Sequence, residues 1–136
     1  MSSIKIVAYS TCALSPELIR DYGITILPLN IVLDMTSYSD GEEISPDEIY
    51  VWAQANKRTP KTAAVAFDRA LALVKGMKEN QEEVIFIGIS SEMSTTCNVM
   101  RLVKEELEYD RMFIIDSRNL STGIGLQVLR AVQLAQ

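Results

Sequence analysis

Residues 84–89 (VIFIGI) form an uninterrupted apolar run, and this run constrains the fold more than any other feature of the sequence. Side chains alternate between the two faces of a strand, so a strand that is apolar on both faces needs cover on both. Such strands are typical of parallel sheets with helices on each side. At 136 residues, the chain is long enough to supply that cover within one domain.

Three further apolar runs predict strands. They are residues 4–9 (IKIVAY), 24–32 and 112–115, and Pro28 makes the second an irregular or edge strand. Residues 34–41 (DMTSYSDG) predict a turn-rich connection, and residues 57–66, centred on Pro60, predict a loop.

Helical patterns separate these runs. A short helix is expected after Ser15-Pro16, and Ser45-Pro46-Asp47-Glu48 is a capping box that predicts a helix to Asn56. Apolar stripes predict helices over residues 67–77, over 97–107 with Ser94 as cap, and from Ile124 to the chain end. This β-α-β order predicts an α/β fold, a parallel sheet in a three-layer domain.

Composition excludes several classes of function. Thirteen Lys and Arg against eighteen Asp and Glu give a net charge of −5, which offers no electrostatic basis for binding nucleic acid. The chain contains no histidine, which excludes histidine-dependent nucleophiles and histidine metal sites.

Cys12 and Cys97 are predicted to be reduced thiols, and the alternative is a single disulfide between them that closes a long loop. Without a signal peptide in residues 1–10 or an apolar run that could cross a bilayer, we expect a cytoplasmic protein with no membrane insertion.

The loops that follow the predicted strands are rich in hydroxyl groups. Since the carboxyl ends of parallel strands share one sheet edge, we expect Ser10, Thr62, Ser94 and Ser117 to meet there. Hydroxyls beside helix N-termini can hold a carboxylate or a phosphate, although each can instead cap its own helix. Candidate residues that support such a site are Ser10, Thr11, Ser91, Ser117 and Ser121.

Other motifs give weaker signals. Gly123-Ile124-Gly125 lacks the third glycine of a dinucleotide fingerprint, so close helix–strand packing explains it better. Cys12 follows a predicted strand but has no base to activate it. The residues Asp34, Asp40 and Asp116 lack metal-ligand spacing, and we expect neither a metal site nor a cofactor.

Taken in order, the loops resemble those of the DegV family of bacterial fatty-acid-binding proteins. The matching segments are Ser10-Thr11-Cys12-x-Leu14, Tyr22-Gly23-Ile24, Pro28-Leu29, Tyr38-x-Asp40-Gly41, Ile44-Ser45, Pro60-x-Thr62, Ile89-Ser90-Ser91-x-Met93-Ser94-x-Thr96 and Asp116-Ser117 with Gly123-Ile124-Gly125. The resemblance runs from end to end of the chain but covers only the family's N-terminal domain. It implies one domain, residues 1–136, with the family's second domain absent.

The resemblance implies a carrier rather than an enzyme. Family members bury a long-chain fatty acid, and its carboxylate is held by a Thr and a Ser that correspond to Thr62 and Ser94. They can present the acid to a fatty-acid kinase. The chain departs from the family's motifs: Tyr9 and Ala13 replace acidic residues, Thr95 replaces a glycine, and alanines stand in the loop after Thr62. Without the family's second domain to cover it, a bound fatty acid is expected to be partly exposed to solvent and weakly bound.

Three functional hypotheses follow. The first is a lipid carrier completed by a separate second domain or a partner, and the second is a binding or regulatory domain that has lost the lipid site. The third, ranked last, is a small enzyme that uses Ser or Cys. Because residues 124–136 carry more apolar positions than one core-facing stripe requires, we also expect a homodimer or a complex through this helix or the hydroxyl-rich edge.

Overall fold

The computed structural model describes residues 3–136, and Met1 and Ser2, the start of the predicted domain, lie outside them. Four strands form a parallel sheet in the order β2-β1-β6-β7. Their bounds are Ile4–Tyr9 for β1, Thr25–Leu27 for β2, Glu83–Gly88 for β6 and Met112–Asp116 for β7. The run that the sequence predicts to be central is therefore an inner strand, between β1 and β7.

Helices cover both faces of this sheet. The α-helices are α1 (Pro16–Asp21), α2 (Pro46–Asn56), α3 (Phe67–Glu79), α4 (Thr96–Glu106) and α5 (Thr122–Ala135). Phe86 and Ile87 are consecutive in β6, so they point to opposite faces, and both are buried. Helices α3 and α4 pack together against β6, while α5 packs against β1 and β6. The predicted α/β fold with its parallel sheet is confirmed.

A second, smaller sheet was not predicted. It is antiparallel, with the order β4-β3-β5, and consists of β3 (Asn30–Leu33), β4 (Thr36–Ser39) and β5 (Lys61–Ala63). The prediction of one strand over residues 24–32 is wrong, because the chain leaves the parallel sheet at Pro28, which has no N–H to continue a ladder. The turn-rich connection and the loop around Pro60 each contain a strand of this sheet.

Two helix starts show how local sequence fixes the elements. The capping box of α2 is confirmed: Ser45 Oγ accepts from the Glu48 N–H at 3.3 Å, and the Glu48 carboxylate accepts from the Ser45 N–H at 2.7 Å. The predicted cap of α4 is wrong by one residue. Thr95 occupies the N-cap position, and Ser94 Oγ accepts a hydrogen bond from the Thr96 N–H at 3.2 Å.

Gly125, the second glycine of the pair at the start of α5, lies where the helix closely approaches another segment of the chain. A Cβ at this position would lie 2.5 Å from the carbonyl oxygen of Cys12, in the 3-10 turn after β1. The helix therefore reaches the chain next to β1 only because position 125 has no side chain. Close packing, as the sequence indicates, accounts for this glycine.

Candidate functional site

A cleft of about 480 Å³ lies where the carboxyl ends of β1 and β6 meet the small antiparallel sheet. It is lined by Tyr9, Thr11, Leu29, Thr62, Ala63, Ala64, Ile89, Met93, Ser94, Thr95 and Leu120. The lining contains apolar side chains and hydroxyl groups and no charged side chain. Its volume lies within the usual range for small-molecule sites.

Thr62 enters the cleft from the small sheet. It is the middle residue of β5 and pairs with Ile31 of β3. Just after the strand, the side-chain amide of Asn30 donates to the carbonyl oxygen of Ala64 at 3.0 Å. These bonds fix the segment that carries Thr62, although its side chain is exposed.

Ser94 enters the cleft from the loop between β6 and α4. The backbone N–H groups of Met93 and Ser94 donate to the carbonyl oxygen of Ser90 at 2.9 and 3.2 Å. Ser90 is buried, and its hydroxyl accepts from the Glu92 N–H at 3.2 Å. The loop is thus held in a tight turn that sets the position of Ser94.

Thr11 is the third of the predicted residues in this cleft. Its Oγ1 atom is buried and has no hydrogen-bond partner among residues 3–136. Buried hydroxyls without a partner are uncommon, because desolvation costs about 1–3 kcal/mol. Thr11 therefore has spare hydrogen-bonding capacity beneath the wall of the cleft that Thr62 and Ser94 also line.

The other predicted residues do not line this cleft. Ser10 Oγ accepts from the Leu29 N–H, and buried Ser117 exchanges hydrogen bonds with the Asn119 backbone. The Ser91 N–H donates to the Asp116 carboxylate at 3.3 Å. Ser121 is exposed at the start of α5 and makes no capping hydrogen bond. The hydroxyl-rich edge thus divides into groups that face the cleft and groups that stabilise loops.

Tyr9 is a cleft residue that sequence reasoning missed. It ends β1, is 2% exposed and lines the cleft. Burial raises the pKa of the phenol, and the nearby Thr96 side chain and Val65 backbone partly oppose that effect. In the sequence Tyr9 is notable only for standing where the resembled family has an Asp.

The cysteines and carboxylates supply no obvious reactive group. Cys12 and Cys97 are both buried and free, and burial raises the pKa of each thiol, which keeps both protonated. Hydrogen bonds from the Arg118 backbone and from Ser91 lower the pKa of the Asp116 carboxyl. Within residues 3–136, His, Cys, Asp and Glu side chains form no cluster that could hold a metal ion.

In the same part of the chain, no helix has the length and apolar character needed to span a membrane.

Comparison with known proteins gives consistent matches. The model of the DegV family, described as uncharacterised proteins, matches residues 3–136. A DegV domain-containing protein of Clostridium perfringens is 40% identical over 136 residues, which are 100% of this chain and 49% of that protein. A 15.5 kDa DegV domain-containing protein of Staphylococcus aureus is 30% identical over 129 residues, covering 95% of this chain and 91% of the relative.

Solved structures match equally well. A DegV family protein from Thermus thermophilus, described by its fatty acid binding, superposes with a TM-score of 0.87 at 29% identity. The match covers 97% of this chain and 47% of the Thermus protein. The chain thus spans about half the length of the Clostridium and Thermus proteins.

Proposed function

The chain belongs to the DegV family, and on this premise we propose that its cleft binds a long-chain fatty acid, with the carboxylate at Thr62 and Ser94. One observation carries the proposal. Thr62 comes from the small sheet and Ser94 from a loop of the parallel sheet, yet both line the same cleft. The two hydroxyl groups can donate hydrogen bonds to the carboxylate of a fatty acid. Leu29, Ile89 and the other apolar side chains of the lining can contact its acyl chain.

We propose that the protein is a carrier and not an enzyme. The sequence has no histidine, both thiols are buried, and the cleft lining has no charged group that could act as a general base. These features favour holding a ligand over transforming it. Presentation of the bound acid to a fatty-acid kinase, in the cytoplasm, would follow from the family resemblance.

We further propose that residues 1–136 act as one domain whose cleft is completed by a second surface. Met93 and Leu120 at the cleft are 58% and 46% exposed, and Leu126 and Leu134 of α5 are each 70% exposed. Exposed apolar groups of this kind favour contact with a partner. That partner would be a separate second domain or a second copy of the chain in a homodimer, and sedimentation across a concentration series tests the latter.

A second candidate is a DegV-like binding or regulatory domain that has lost the lipid site. The observation that favours it is the composition of β5 and the residue after it. Ala63 and Ala64 line the cleft where the resembled family has Ser and Gln, so fewer polar groups are available to a carboxylate. Mass spectrometry of lipids that co-purify with the protein distinguishes the candidates, since a carrier is expected to retain fatty acid.

Binding measurements test the assigned residues. Ser94→Ala and Thr62→Val should each weaken binding of palmitic acid by roughly 10- to 150-fold, because each removes a hydrogen bond to a charged group. Thr36→Val is a matched control, since Thr36 is exposed on β4 and lies outside the cleft lining. Unchanged affinity in both cleft variants would show that the carboxylate binds elsewhere.

A further inference from the structure

Strand β7 is an open edge of the parallel sheet. It pairs with β6 on one side, and within residues 3–136 no strand pairs with its other side. Its side chains Phe113 and Ile115 are 51% and 42% exposed. The opposite edge strand, β2, has only three residues, and none of them is exposed. Natural proteins usually cover or charge a long apolar edge, so the bare apolar edge at β7 indicates a contact surface.

The hydrogen bonds of β7 show which backbone groups face its open side. At the two ends of the strand, the carbonyl oxygen of Arg111 and the N–H of Ser117 are both bonded to β6, at 2.9 and 3.2 Å. Backbone groups of successive strand residues point to alternate sides, so the odd-numbered residues bond to β6 and the even-numbered ones face outward. The outward groups are therefore the C=O of Met112, the N–H and C=O of Ile114 and the N–H of Asp116.

A groove of charged side chains borders this edge. The ammonium group of Lys104 on α4 lies 5.6 Å from the centre of the Phe113 ring, which places that face of α4 beside β7. The groove is lined by Arg101, Lys104, Glu105, Glu108, Tyr109 and Asp110. None of its charged side chains takes part in an ion pair within residues 3–136. Along the chain, the two basic residues come first and the three acidic residues follow.

The backbone of β7 is complementary to itself under a two-fold rotation. If two copies of β7 lie antiparallel with Ile114 opposite Ile114, the outward groups of these two residues exchange two hydrogen bonds. The N–H of each Asp116 then meets the free C=O of Met112 in the other copy. Phe113 stands opposite Ile115 of the second copy, and pairs of an aromatic and a β-branched side chain stabilise neighbouring strands.

The charges of α4 are complementary under the same rotation. Because α4 is fixed on β7 within one domain, antiparallel β7 strands bring the two α4 helices antiparallel to each other. The basic end of the groove, at Arg101, then faces the acidic end, at Glu108, of the second copy. Opposite charges that meet across an interface favour one register over others.

We propose that β7 binds the β7 of a second copy of this chain, so that two four-stranded sheets join into one continuous sheet across a two-fold axis. Two-fold contacts of this kind are the commonest in homo-oligomers. The surface is distinct from the fatty-acid cleft and from the exposed leucines of α5. The inference therefore stands or falls independently of the proposed lipid binding.

Sedimentation equilibrium of the full chain, from low to high micromolar concentration, tests the assembly. The mass should rise from that of one 15.2 kDa chain toward that of two. Amide hydrogen exchange identifies the surface, since the N–H groups of Ile114 and Asp116 should exchange more slowly as the dimer forms. A dimer through the cleft or α5 would leave these two amides unchanged.

Ile114→Pro removes an N–H that bonds only to the second copy, and proline is tolerated on an edge strand where its N–H would face outward. This variant should be monomeric. Leu126→Ala is the matched control, because Leu126 is 70% exposed on α5, and it should leave the dimer intact. Circular dichroism checks that both variants are folded.

Charge reversal tests the register. Arg101→Glu and Glu108→Arg each place like charges across the two-fold axis, twice per dimer, and should raise the dissociation constant roughly 5- to 30-fold. The double variant exchanges the two charges and should restore the dimer. This rescue separates a direct contact from a general loss of structure.

Three results would overturn the inference. The first is a protein that stays monomeric at high micromolar concentration. The second is a dimer that Leu126→Ala disrupts and Ile114→Pro does not, which would place the interface at α5. The third is a double charge variant that dimerises no better than the single ones. Palmitic acid binding by the Ile114→Pro monomer reports on the proposed function separately.

Discussion

The hydroxyl oxygen of Ser10 accepts a hydrogen bond from the backbone N–H of Leu29 at 2.9 Å. Ser10 directly follows β1, and Leu29 lies between β2, an edge strand of the parallel sheet, and β3. The bond therefore ties the two sheets together at the point where the chain passes between them. Because Leu29 lines the cleft, Ser10 shapes the cleft without facing it.

We expect Ser10→Ala to destabilise the fold by about 1–3 kcal/mol, since it leaves the partly buried Leu29 N–H without its acceptor. Urea denaturation followed by circular dichroism measures this change. Ser37→Ala, at an exposed position of β4, is the control and should change the free energy of unfolding by less than about 0.5 kcal/mol. Equal stability of the two variants would contradict the prediction.

Arg69 of α3 holds the small sheet against the helix layer. Its guanidinium donates to the Ser39 hydroxyl at 2.6 Å and contacts the Glu42 carboxylate at 2.5 Å. We expect Arg69→Met to cost about 1–2 kcal/mol, a value reduced by the partial exposure of the ion pair. The substitution should also increase the rate of backbone amide hydrogen exchange in β3 and β4 more than in β6.

Arg20→Met provides the comparison for this prediction. Arg20 pairs with Asp21, and both side chains are more than 60% exposed. That substitution should cost less than about 0.5 kcal/mol. If both arginine variants lose the same stability, the contacts of Arg69 do not anchor the small sheet.

Acid should destabilise the protein through Glu43. The Ser39 backbone N–H donates to the Glu43 carboxylate, which lowers the pKa of this group in the folded state. A lowered folded-state pKa contributes stability that is fully present above the unfolded-state pKa and is lost as the pH falls through the folded value. We expect the free energy of unfolding to fall between about pH 5 and pH 3.

Glu43→Gln should make that acid dependence shallower, because the amide cannot take up the proton. The measurement is the urea midpoint at a series of pH values. Glu48 has a similarly lowered pKa because of its bonds with Ser45, so Glu48→Gln should act in the same direction. Unaltered pH profiles in both variants would rule out these carboxylates as the source.

Gly125→Ala should destabilise the protein by about 1–3 kcal/mol. The added Cβ would lie 2.5 Å from a backbone oxygen, which cannot rotate away. Gly76→Ala is the matched control on α3, where nothing lies within 4 Å, and it should stabilise by up to about 1 kcal/mol. Thermal unfolding of both variants tests the contrast, and a stabilised Gly125→Ala would contradict the close approach.

The parallel sheet could be predicted from the sequence because its strands have strong local signals. Residues 84–89 are apolar at every position, which only a two-sided cover explains. The sequence patterns that predict the strands of the small sheet are weaker. Strands β2 and β3 lie in one mostly apolar segment, and only Pro28 and Asn30 interrupt it between Leu27 and Ile31, which belong to different sheets. Strand β5 has three exposed residues and is defined by its pairing with β3, a contact that no local pattern reveals.

The candidate site was predictable to a similar extent. Thr62 and Ser94 were assigned from the family resemblance, and the structure places both at one cleft, where their roles stay predictions. The separation of Ser10 from Thr11 was beyond the sequence. These neighbours have similar hydroxyls, and only the path of Leu29 decides that one is bonded and the other is not. Tyr9 was missed because a tyrosine that ends an apolar strand belongs to the core more often than to a ligand-binding cleft, and here it belongs to both.

The pairing of Ile4 with Glu83 joins two positions that are separated by more than half of the chain. During synthesis, β1 leaves the ribosome long before its inner neighbour exists. Val7 and Ala8, which are completely buried in the finished sheet, must wait for β6 to emerge. A chain of equal length built from hairpins would cover such residues almost at once. The nascent chain therefore exposes the sheet-forming edge of β1 until residues 83–88 have been made, and slow elongation before residue 83 should increase its need for chaperones.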